Sequence, residues 1–216
     1  LKLIAKIENE EGFQRKDEIL SAADGIMVAR GDLGIELPLE EVPLMQSSLI
    51  QSANLLGKPV ITATEMLESM IRNPRPTRAE VTDVAHAILA GTDALMLSAE
   101  TAAGRYPILS VEMMSRIAVR IETSLDYIER YQRKNNFTKA LTVADAISHA
   151  TYQTAADLQA EAIITSTQSG STARMVSKYR PKAPILAATP NPRVAKELSL
   201  SWGVIPVVVP YSDTTD

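Results

Sequence analysis

The sequence predicts an α/β protein, with a partial (β/α)8 TIM-type barrel followed by a smaller α/β domain. In the first 106 residues, a short apolar run followed by a polar loop and a helical pattern occurs four times. Four such units make half of an eightfold barrel, which typically needs about 250 residues. A polar stretch and a further series of strand and helix patterns then predict a second domain.

Four parallel strands are predicted in the barrel part, at residues 3–7, 25–29, 59–63 and 94–98. Helices are predicted at 16–22 and 41–56, the second with apolar residues spaced three or four apart: Val42, Met45, Leu49, Ala53 and Leu56. The run from Thr77 to Glu80 is typical of a capping box that opens a third helix, whose predicted buried stripe is Val81, Val84, Ala85 and Ile88. Gly57 and Gly91 follow their helices as expected C-caps.

A long helix is predicted at 107–131, with an inward stripe of Ile108, Val111, Met114, Ile117, Ile121, Leu125 and Ile128. Residues 132–138 are polar and charged, and we interpret them as a linker. The second domain, 139–216, is predicted to contain helices at 143–158, 173–179 and 193–200. Its strands are predicted at 162–167, 184–189 and 204–209.

Composition excludes several classes of protein. The 216 residues are 45% hydrophobic and 22% charged, with a net charge of −4, which gives no reason to expect nucleic acid or an anionic membrane as a partner. Cysteine is absent, so disulfides and thiolate metal sites are excluded. The only histidines are His86 and His149, which argues against a histidine-rich metal site or a Ser-His-Asp triad. No apolar run is long enough to span a bilayer, and we expect a soluble cytoplasmic protein.

Charged residues end the first two predicted strands. Lys6 and Glu8 lie two residues apart and therefore share a face of the first strand, and Asp32 follows the second strand. The carboxyl ends of parallel strands carry the chemistry in such folds. Two carboxylates suit Mg²⁺, which binds one or two of them plus water and substrate phosphate. A simpler interpretation, a lysine–glutamate pair and a helix-capping aspartate, remains open from spacing alone.

Five motifs in order resemble the pyruvate kinase family. The first is the run Ile4-Ala5-Lys6-Ile7-Glu8-Asn9-Glu10-Glu11-Gly12, and the second is Met27-Val28-Ala29-Arg30-Gly31-Asp32-Leu33-Gly34. The other three start at Thr62, Pro74 and Leu97, with the sequences TATEMLESM, PRPTRAE and LSAETA. Together they extend from Ile4 to Ala102. The resemblance implies that residues 1–131 are the second half of a catalytic barrel and that 139–216 are an incomplete C-terminal effector-binding domain.

The resemblance also implies the reaction, phosphoryl transfer from phosphoenolpyruvate to ADP that gives pyruvate and ATP in glycolysis. Glu8 and Asp32 would hold Mg²⁺ or Mn²⁺, and Lys6 would neutralise the transferred phosphoryl group and the enolate. Backbone N–H groups of Gly31 and Asp32 would receive the substrate carboxylate. K⁺ is implied as well, with ligands outside this segment, and so are an allosteric effector and a homotetramer.

Four further residues are expected at or behind the site. Thr64 ends the third strand, where its hydroxyl would bind substrate and relay a proton to the enolate carbon; capping the next helix is its other possible role. Arg30 is expected to be structural, because a second cation beside Lys6 and a metal would over-neutralise the pocket. Ser98 is expected to reach the site through water, and Glu100 to brace the loop from behind.

The chain departs from the family pattern at two positions. The family usually has glutamine where Glu65 stands and glycine where Ala99 stands. Glu65 adds a negative charge beside Thr64, which would disfavour the enolate or change the metal preference. Ala99 adds a methyl group that would be strained if its backbone required a positive φ.

In the second domain, one loop has the composition of a phosphate cradle. Hydroxyl and glycine residues precede a predicted helix, in the run Thr167, Gln168, Ser169, Gly170, Ser171 and Thr172. In the family the matching loop binds a phosphorylated effector, which would be a sugar phosphate or a nucleotide. An ordinary strand-to-helix turn is the alternative.

Two other functions remain open at this point. One is another Mg²⁺-dependent enzyme of the phosphoenolpyruvate–pyruvate barrel group, such as an oxo-acid lyase or mutase, which would not need residues 138–216. The other is a ligand-binding or assembly module without catalysis. The resemblance places the K⁺ ligands and a nucleotide-binding arginine in a preceding segment, so we expect these 216 residues to be part of a longer chain and inactive alone.

Overall fold

The computed structural model describes residues 1–125 and 142–211. The chain divides into two compact units after residue 125. The predicted linker at 132–138 and the end of the predicted barrel part at 131 lie outside the described residues. The division into 1–131 and 139–216 therefore stays a prediction.

The first unit contains a parallel sheet of four strands in the order β1-β2-β3-β4. These are Ile4–Ile7, Gly25–Ala29, Val60–Ala63 and Ala94–Met96. Lys6 pairs with Met27 and Ile7 with Val28, so that the chain leaves β1 and β2 at the same edge of the sheet. The order and direction confirm the predicted half-barrel arrangement.

The helices of this unit follow the strands in the predicted order. They are α1 (Glu10–Gln14), α2 (Lys16–Ala22), α3 (Arg30–Glu36), α4 (Val42–Leu55), α5 (Arg78–Ala90), α6 (Ala99–Ala102) and α7 (Pro107–Glu122). A 3-10 helix covers Glu68–Ile71. The short helices α1, α3 and α6 were not predicted as elements, because fewer than two turns leave no apolar period to detect.

The core of the first unit lies between the sheet and its helices. It contains Ile7, Leu20, Ile26, Val28, Leu33, Leu49, Ile50, Ala53 and Val60. The predicted stripe of α4 is wrong at its end, because Leu56 lies past the last helical turn and is 49% exposed. In α5, Val84, Ala87 and Ile88 are buried, whereas Val81 and Ala85 are only partly so.

The predicted inward stripe of α7 is only partly correct. Met114 and Ile117 are buried, and α7 packs against α5. Ile108 is 72% and Val111 53% exposed, so these two apolar side chains lie outside the contact. The predicted continuation of the helix to 131 is wrong at Thr123, which caps its end, and residues 126–131, including Ile128, lie outside the described part of the chain.

The second unit contains a parallel sheet in the order β5-β6-β7, formed by Ile163–Ser166, Ile185–Thr189 and Val204–Val208. Its helices are α8 (Val143–Asp157), α9 (Ser171–Ser177) and α10 (Pro192–Leu198). Their core includes Ile163, Val176, Ile185 and Leu198. Within the two described ranges, none of the helices combines the length and the apolar character needed to cross a bilayer.

The predicted capping box at the start of α5 is present and extends further than the sequence shows. The Thr77 hydroxyl accepts from Glu80 N–H at 3.2 Å, and the Glu80 carboxylate accepts from Thr77 N–H at 2.6 Å. The same carboxylate accepts from the N–H and the hydroxyl of Ser69, both at 2.6 Å. Burial raises the pKa of Glu80, but these hydrogen bonds outweigh it and leave the pKa below its ordinary value.

We expect Glu80→Gln to lower the melting temperature at neutral pH, with a loss of roughly 1–3 kcal/mol of stability. Since the pKa is lowered, the contribution of Glu80 is present above the ordinary glutamate pKa and is lost as the pH falls through the lowered value. The difference from wild type, measured by calorimetry on the full-length protein, should therefore shrink in acid. Glu40→Gln, at an exposed position, is the control, and an equal shift in both variants would contradict the prediction.

Candidate active site

Lys6, Glu8 and Asp32 meet at the carboxyl edge of the first sheet. The Lys6 ammonium contacts a Glu8 carboxylate oxygen and lies 2.8 Å from Asp32 Oδ2. Glu8 follows the last residue of β1, and Asp32 lies in the first turn of α3, just after β2. The parallel register and the short step from β2 into α3 bring the three side chains together. All three are nearly half exposed and therefore accessible to a ligand.

The charges of this cluster are those expected of a site for a cation and an anion. The hydrogen bond to Asp32, then that to Glu8, raises the pKa of Lys6 to about 12. One ammonium group thus offsets two carboxylates that would otherwise repel each other. No group of three or more His, Cys, Asp or Glu side chains is placed to hold a metal in the described ranges. Two carboxylates fit Mg²⁺ or Mn²⁺, which can complete their coordination with water and substrate oxygens.

Thr64 and Glu65 form a strained turn beside this cluster. Their φ angles are +66° and +53°, in the left-handed region that β-branched threonine rarely adopts. Each such residue costs of order 1–3 kcal/mol and persists only where its surroundings enforce the conformation. The turn places Thr64 Oγ1 2.8 Å from Gly31 N, which donates to it, while the hydroxyl donates to the carbonyl of Ala63 at 2.7 Å.

This hydrogen bond modifies the expectation for Gly31. The sequence predicted that Gly31 N–H receives a substrate carboxylate, but in the structure it is bonded to the Thr64 hydroxyl. A carboxylate can bind this N–H only if the hydroxyl moves away. The predicted substrate-binding roles of Gly31 and Thr64 are therefore linked through one hydrogen bond.

Arg30 lies behind the turn, with only 7% of the residue exposed. Its Nη2 donates to the carbonyls of Thr64 at 2.6 Å and Glu65 at 3.0 Å, and its Nε lies 3.2 Å from the first of these. Its Nη1 contacts Asp83 Oδ2. The guanidinium group is thus hydrogen-bonded to backbone carbonyls and paired with an acidic side chain of the same chain.

Glu100 and Ser98 connect the ends of the third and fourth strands. Glu100 is fully buried, and its carboxylate accepts from Leu67 N–H at 3.1 Å and Ser98 N–H at 2.7 Å. This geometry suits the bracing role expected of Glu100. Ser98 is half-buried and serves as the N-cap residue of α6. Ala99 begins α6 and is absent from the positive-φ residues, so its methyl group introduces no strain of that kind.

Glu65 lies close to the predicted carboxylate site. A Cβ atom built on Gly31 would stand 3.7 Å from Glu65 Oε1, and the Glu65 side chain is exposed. Neighbouring acidic residues add to the negative electrostatic potential at this turn. Burial, and then the charges of Glu100, Glu65 and Glu80, raise the pKa of Glu68. The turn that follows β3 is therefore unusually acidic for a place where an anionic substrate is expected.

The predicted effector loop forms the start of α9 in the second unit. Gly170 has a φ of +81°, and its N–H donates to Thr167 Oγ1 at 2.9 Å. Thr167 and Gly170 are buried and shape the loop, whereas the other four residues of the predicted set are exposed: Gln168, Ser169, Ser171 and Thr172. Arg174 donates to the Ser169 carbonyl at 2.9 Å. Effector binding by this loop stays a prediction.

Sequence reasoning missed Asp83 and Gln46, which both approach the Arg30 guanidinium. Gln46 Oε1 lies 3.5 Å from Arg30 Nη1 and is buried on α4. A polar residue inside the apolar stripe of a helix was the signal available for Gln46. Asp83 stands on α5 among ordinary surface charges, and no local pattern distinguishes it.

Comparisons with known proteins agree along the whole chain. Residues 1–111 match a family model described as "Pyruvate kinase, barrel domain", and 145–216 match "Pyruvate kinase, alpha/beta domain". The chain is 56% identical over 216 residues to a pyruvate kinase of Geobacillus stearothermophilus and 54% over 217 residues to one of Clostridium acetobutylicum. All of this chain is covered in both, but only 37% and 46% of those relatives.

A solved structure gives the same result. The crystal structure of a pyruvate kinase from Cryptosporidium parvum superposes with a TM-score of 0.93 at 49% sequence identity. The match covers 96% of this chain and 42% of that one. The chain thus spans about two fifths of the length of the proteins it matches.

We expect Lys6 to react unusually slowly with an amine-acylating reagent in the metal-free full-length protein. With its pKa near 12, the deprotonated fraction at pH 10 is roughly twenty times smaller than for an ordinary lysine. The ion pairs are present below the ordinary lysine pKa and are lost as the pH rises through about 12. Mass spectrometry of the labelled peptide measures the rate.

The double variant Glu8→Gln/Asp32→Asn should speed this labelling, because it removes both groups that raise the pKa. Glu10→Gln, on α1, is the matched control and should leave the rate unchanged. Equal rates in the double variant and wild type would show that the carboxylates do not control Lys6.

Proposed function

The chain belongs to the pyruvate kinase family, and on that basis we propose that the full-length protein transfers a phosphoryl group from phosphoenolpyruvate to ADP. The products are pyruvate and ATP. The observation that supports this proposal most directly is the convergence of Lys6, Glu8 and Asp32 at one strand edge. That edge is where barrel enzymes carry their chemistry.

Glu8 and Asp32 are the proposed ligands of Mg²⁺ or Mn²⁺, which supplies positive charge to the phosphate and enolate oxygens when bound. With the two carboxylates engaged by the metal, Lys6 would be free to pair with the phosphoryl group. An ordinary lysine is protonated at neutral pH, so its compact ammonium would offset the charge that builds on the oxygens in transfer. Catalysis of this kind depends on positioning and electrostatics and requires no covalent bond to the protein.

Thr64 is the proposed link between substrate binding and protonation of the enolate. When the substrate carboxylate takes the N–H of Gly31, the Thr64 hydroxyl loses the donor that it accepts from at 2.8 Å. The hydroxyl would stay beside the pocket, and it could relay a proton towards the enolate carbon once its own proton also leaves the Ala63 carbonyl. Binding of substrate and release of the hydroxyl from Gly31 would thus be a single event.

The remaining partners follow from the same assignment. We propose K⁺ as a second ion, with ligands outside this segment, and a homotetramer in the cytoplasm. A sugar phosphate or a nucleotide is the proposed effector at residues 167–172, where four exposed polar side chains surround a helix start. The 216 residues alone are proposed to be inactive, because the four strands supply only one part of the barrel wall.

Lys6→Met in the full-length protein should lower kcat by about a hundred- to a thousandfold or more, because it removes the ammonium proposed to lie beside the phosphoryl group. The measurement is ADP-dependent pyruvate release. Lys2→Met, at an exposed lysine that pairs with Asp24, is the matched control and should retain activity. A wild-type rate in a folded Lys6→Met variant would rule out the proposed mechanism.

Glu65→Gln should lower the KM for phosphoenolpyruvate by roughly two- to tenfold, because it removes a negative charge near the amide that receives the substrate carboxylate. The effect should weaken as salt is added. Glu112→Gln, on the exposed face of α7, serves as the comparison. An unchanged or higher KM would show that the Glu65 carboxylate does not act on the substrate.

A further inference from the structure

We propose that Asp83 is a positioning residue for the reaction, acting through Arg30 on the strained turn that carries Thr64. The inference rests on the proposed function, because it assigns to Asp83 control over the proposed proton relay. It adds a residue of α5 that contacts the Arg30 guanidinium group.

The turn requires an external restraint. Thr64 and Glu65 are consecutive non-glycine residues with positive φ, and neither is followed by a glycine that could absorb the strain. The conformation places the Thr64 hydroxyl at the edge proposed to bind substrate, 2.8 Å from Gly31 N. A relaxed turn would swing this hydroxyl away from the edge that holds Asp32.

Arg30 supplies the restraint. Its guanidinium group donates to two successive carbonyls of the turn, Thr64 and Glu65, and its Nε is within 3.4 Å of the Ala63 carbonyl. Its Nη2 also lies 2.8 Å from Met66 Sδ. One planar group therefore fixes the chain from the end of β3 through the turn. Arg30 itself directly precedes Gly31 and Asp32, so the same side chain joins the two halves of the site.

Asp83 determines where this guanidinium group points. The carboxylate contacts Nη1, on the opposite side of the fork from the nitrogen that bonds the turn. It is the charged partner that holds Arg30 in an otherwise buried place, while Gln46 approaches the same nitrogen at 3.5 Å. Without the carboxylate, the guanidinium would lose its counter-charge and could rotate off the carbonyls.

The test is a double-mutant cycle in the full-length protein. Asp83→Asn keeps the shape but removes the charge, and it should lower kcat by about tenfold or more. The exchange of pyruvate methyl hydrogens with deuterated solvent, which reports protonation of the enolate carbon, should fall by the same factor. The KM for ADP should stay within about twofold of wild type.

The cycle is completed with Thr64→Val, which keeps the β-branch and removes the hydroxyl. If Asp83 acts through Thr64, adding Asp83→Asn to this variant should cost less than about a further twofold. If the losses in kcat of the two single variants multiplied in the double variant, the proposal would be overturned. Full activity and exchange in Asp83→Asn would overturn it as well. Neither result would contradict the proposed reaction, which is tested separately with Lys6→Met.

Arg30→Lys is the second variant, because it keeps a positive charge for Asp83 but has no fork to hold two carbonyls. It should reproduce the loss in kcat and the non-additivity with Thr64→Val. Asp17→Asn, at an exposed acid on α2, is the matched control and should leave activity and exchange unchanged. Failure of both Asp83→Asn and Arg30→Lys to fold would overturn the positioning role, since the pair would then be a requirement of the fold alone.

Discussion

The ammonium group of Lys6 lies between the carboxylates of Glu8 and Asp32, and the arrangement of the first sheet serves this contact. Two acids at neighbouring strand ends repel each other, and a cation must lie near both for them to stay together. The parallel register of β1 and β2 fixes the separation of the strand ends, and the first turn of α3 places Asp32. The proposed divalent ion would take the place of the ammonium group between the two carboxylates and bring a larger positive charge.

Around this cluster, the loops are held mainly by buried polar groups. Glu100, fully buried, accepts from two backbone N–H groups that belong to different strand ends. Arg30 does the converse and donates to the carbonyls of the Thr64–Glu65 turn. A buried charge with several good hydrogen bonds is costly to alter, because removing one partner leaves the other unsatisfied. These buried hydrogen bonds therefore fix the positions of the loops, although parts of the loops are exposed to solvent.

Much of this arrangement was predictable because it follows local rules. Lys6 and Glu8 share a face through the strand period, and strong apolar runs identified β2 and β6 to within a residue. The features that were not predicted from the sequence have physical causes. Nothing at Thr64 or Glu65 signals positive φ, because neither is glycine or asparagine. Arg30 and Asp83 are 53 residues apart, and a contact of that separation leaves no periodic trace. The apolar periodicity identified one face of α7, but it did not indicate how much of that face another element would cover. Ile108 belongs to the predicted face and is nevertheless exposed.

The hydrogen bond from Gly31 to Thr64 limits how much binding free energy the Gly31 amide can contribute. If an anionic substrate binds this amide as proposed, it exchanges one hydrogen bond for another and gains little net energy there, because the amide is already bonded to Thr64. Attraction to the Lys6 ammonium and to the proposed metal would then contribute a larger share of the binding free energy. Dissolved electrolyte weakens such attraction, so ionic strength should govern retention of the anion far more than any single amide does.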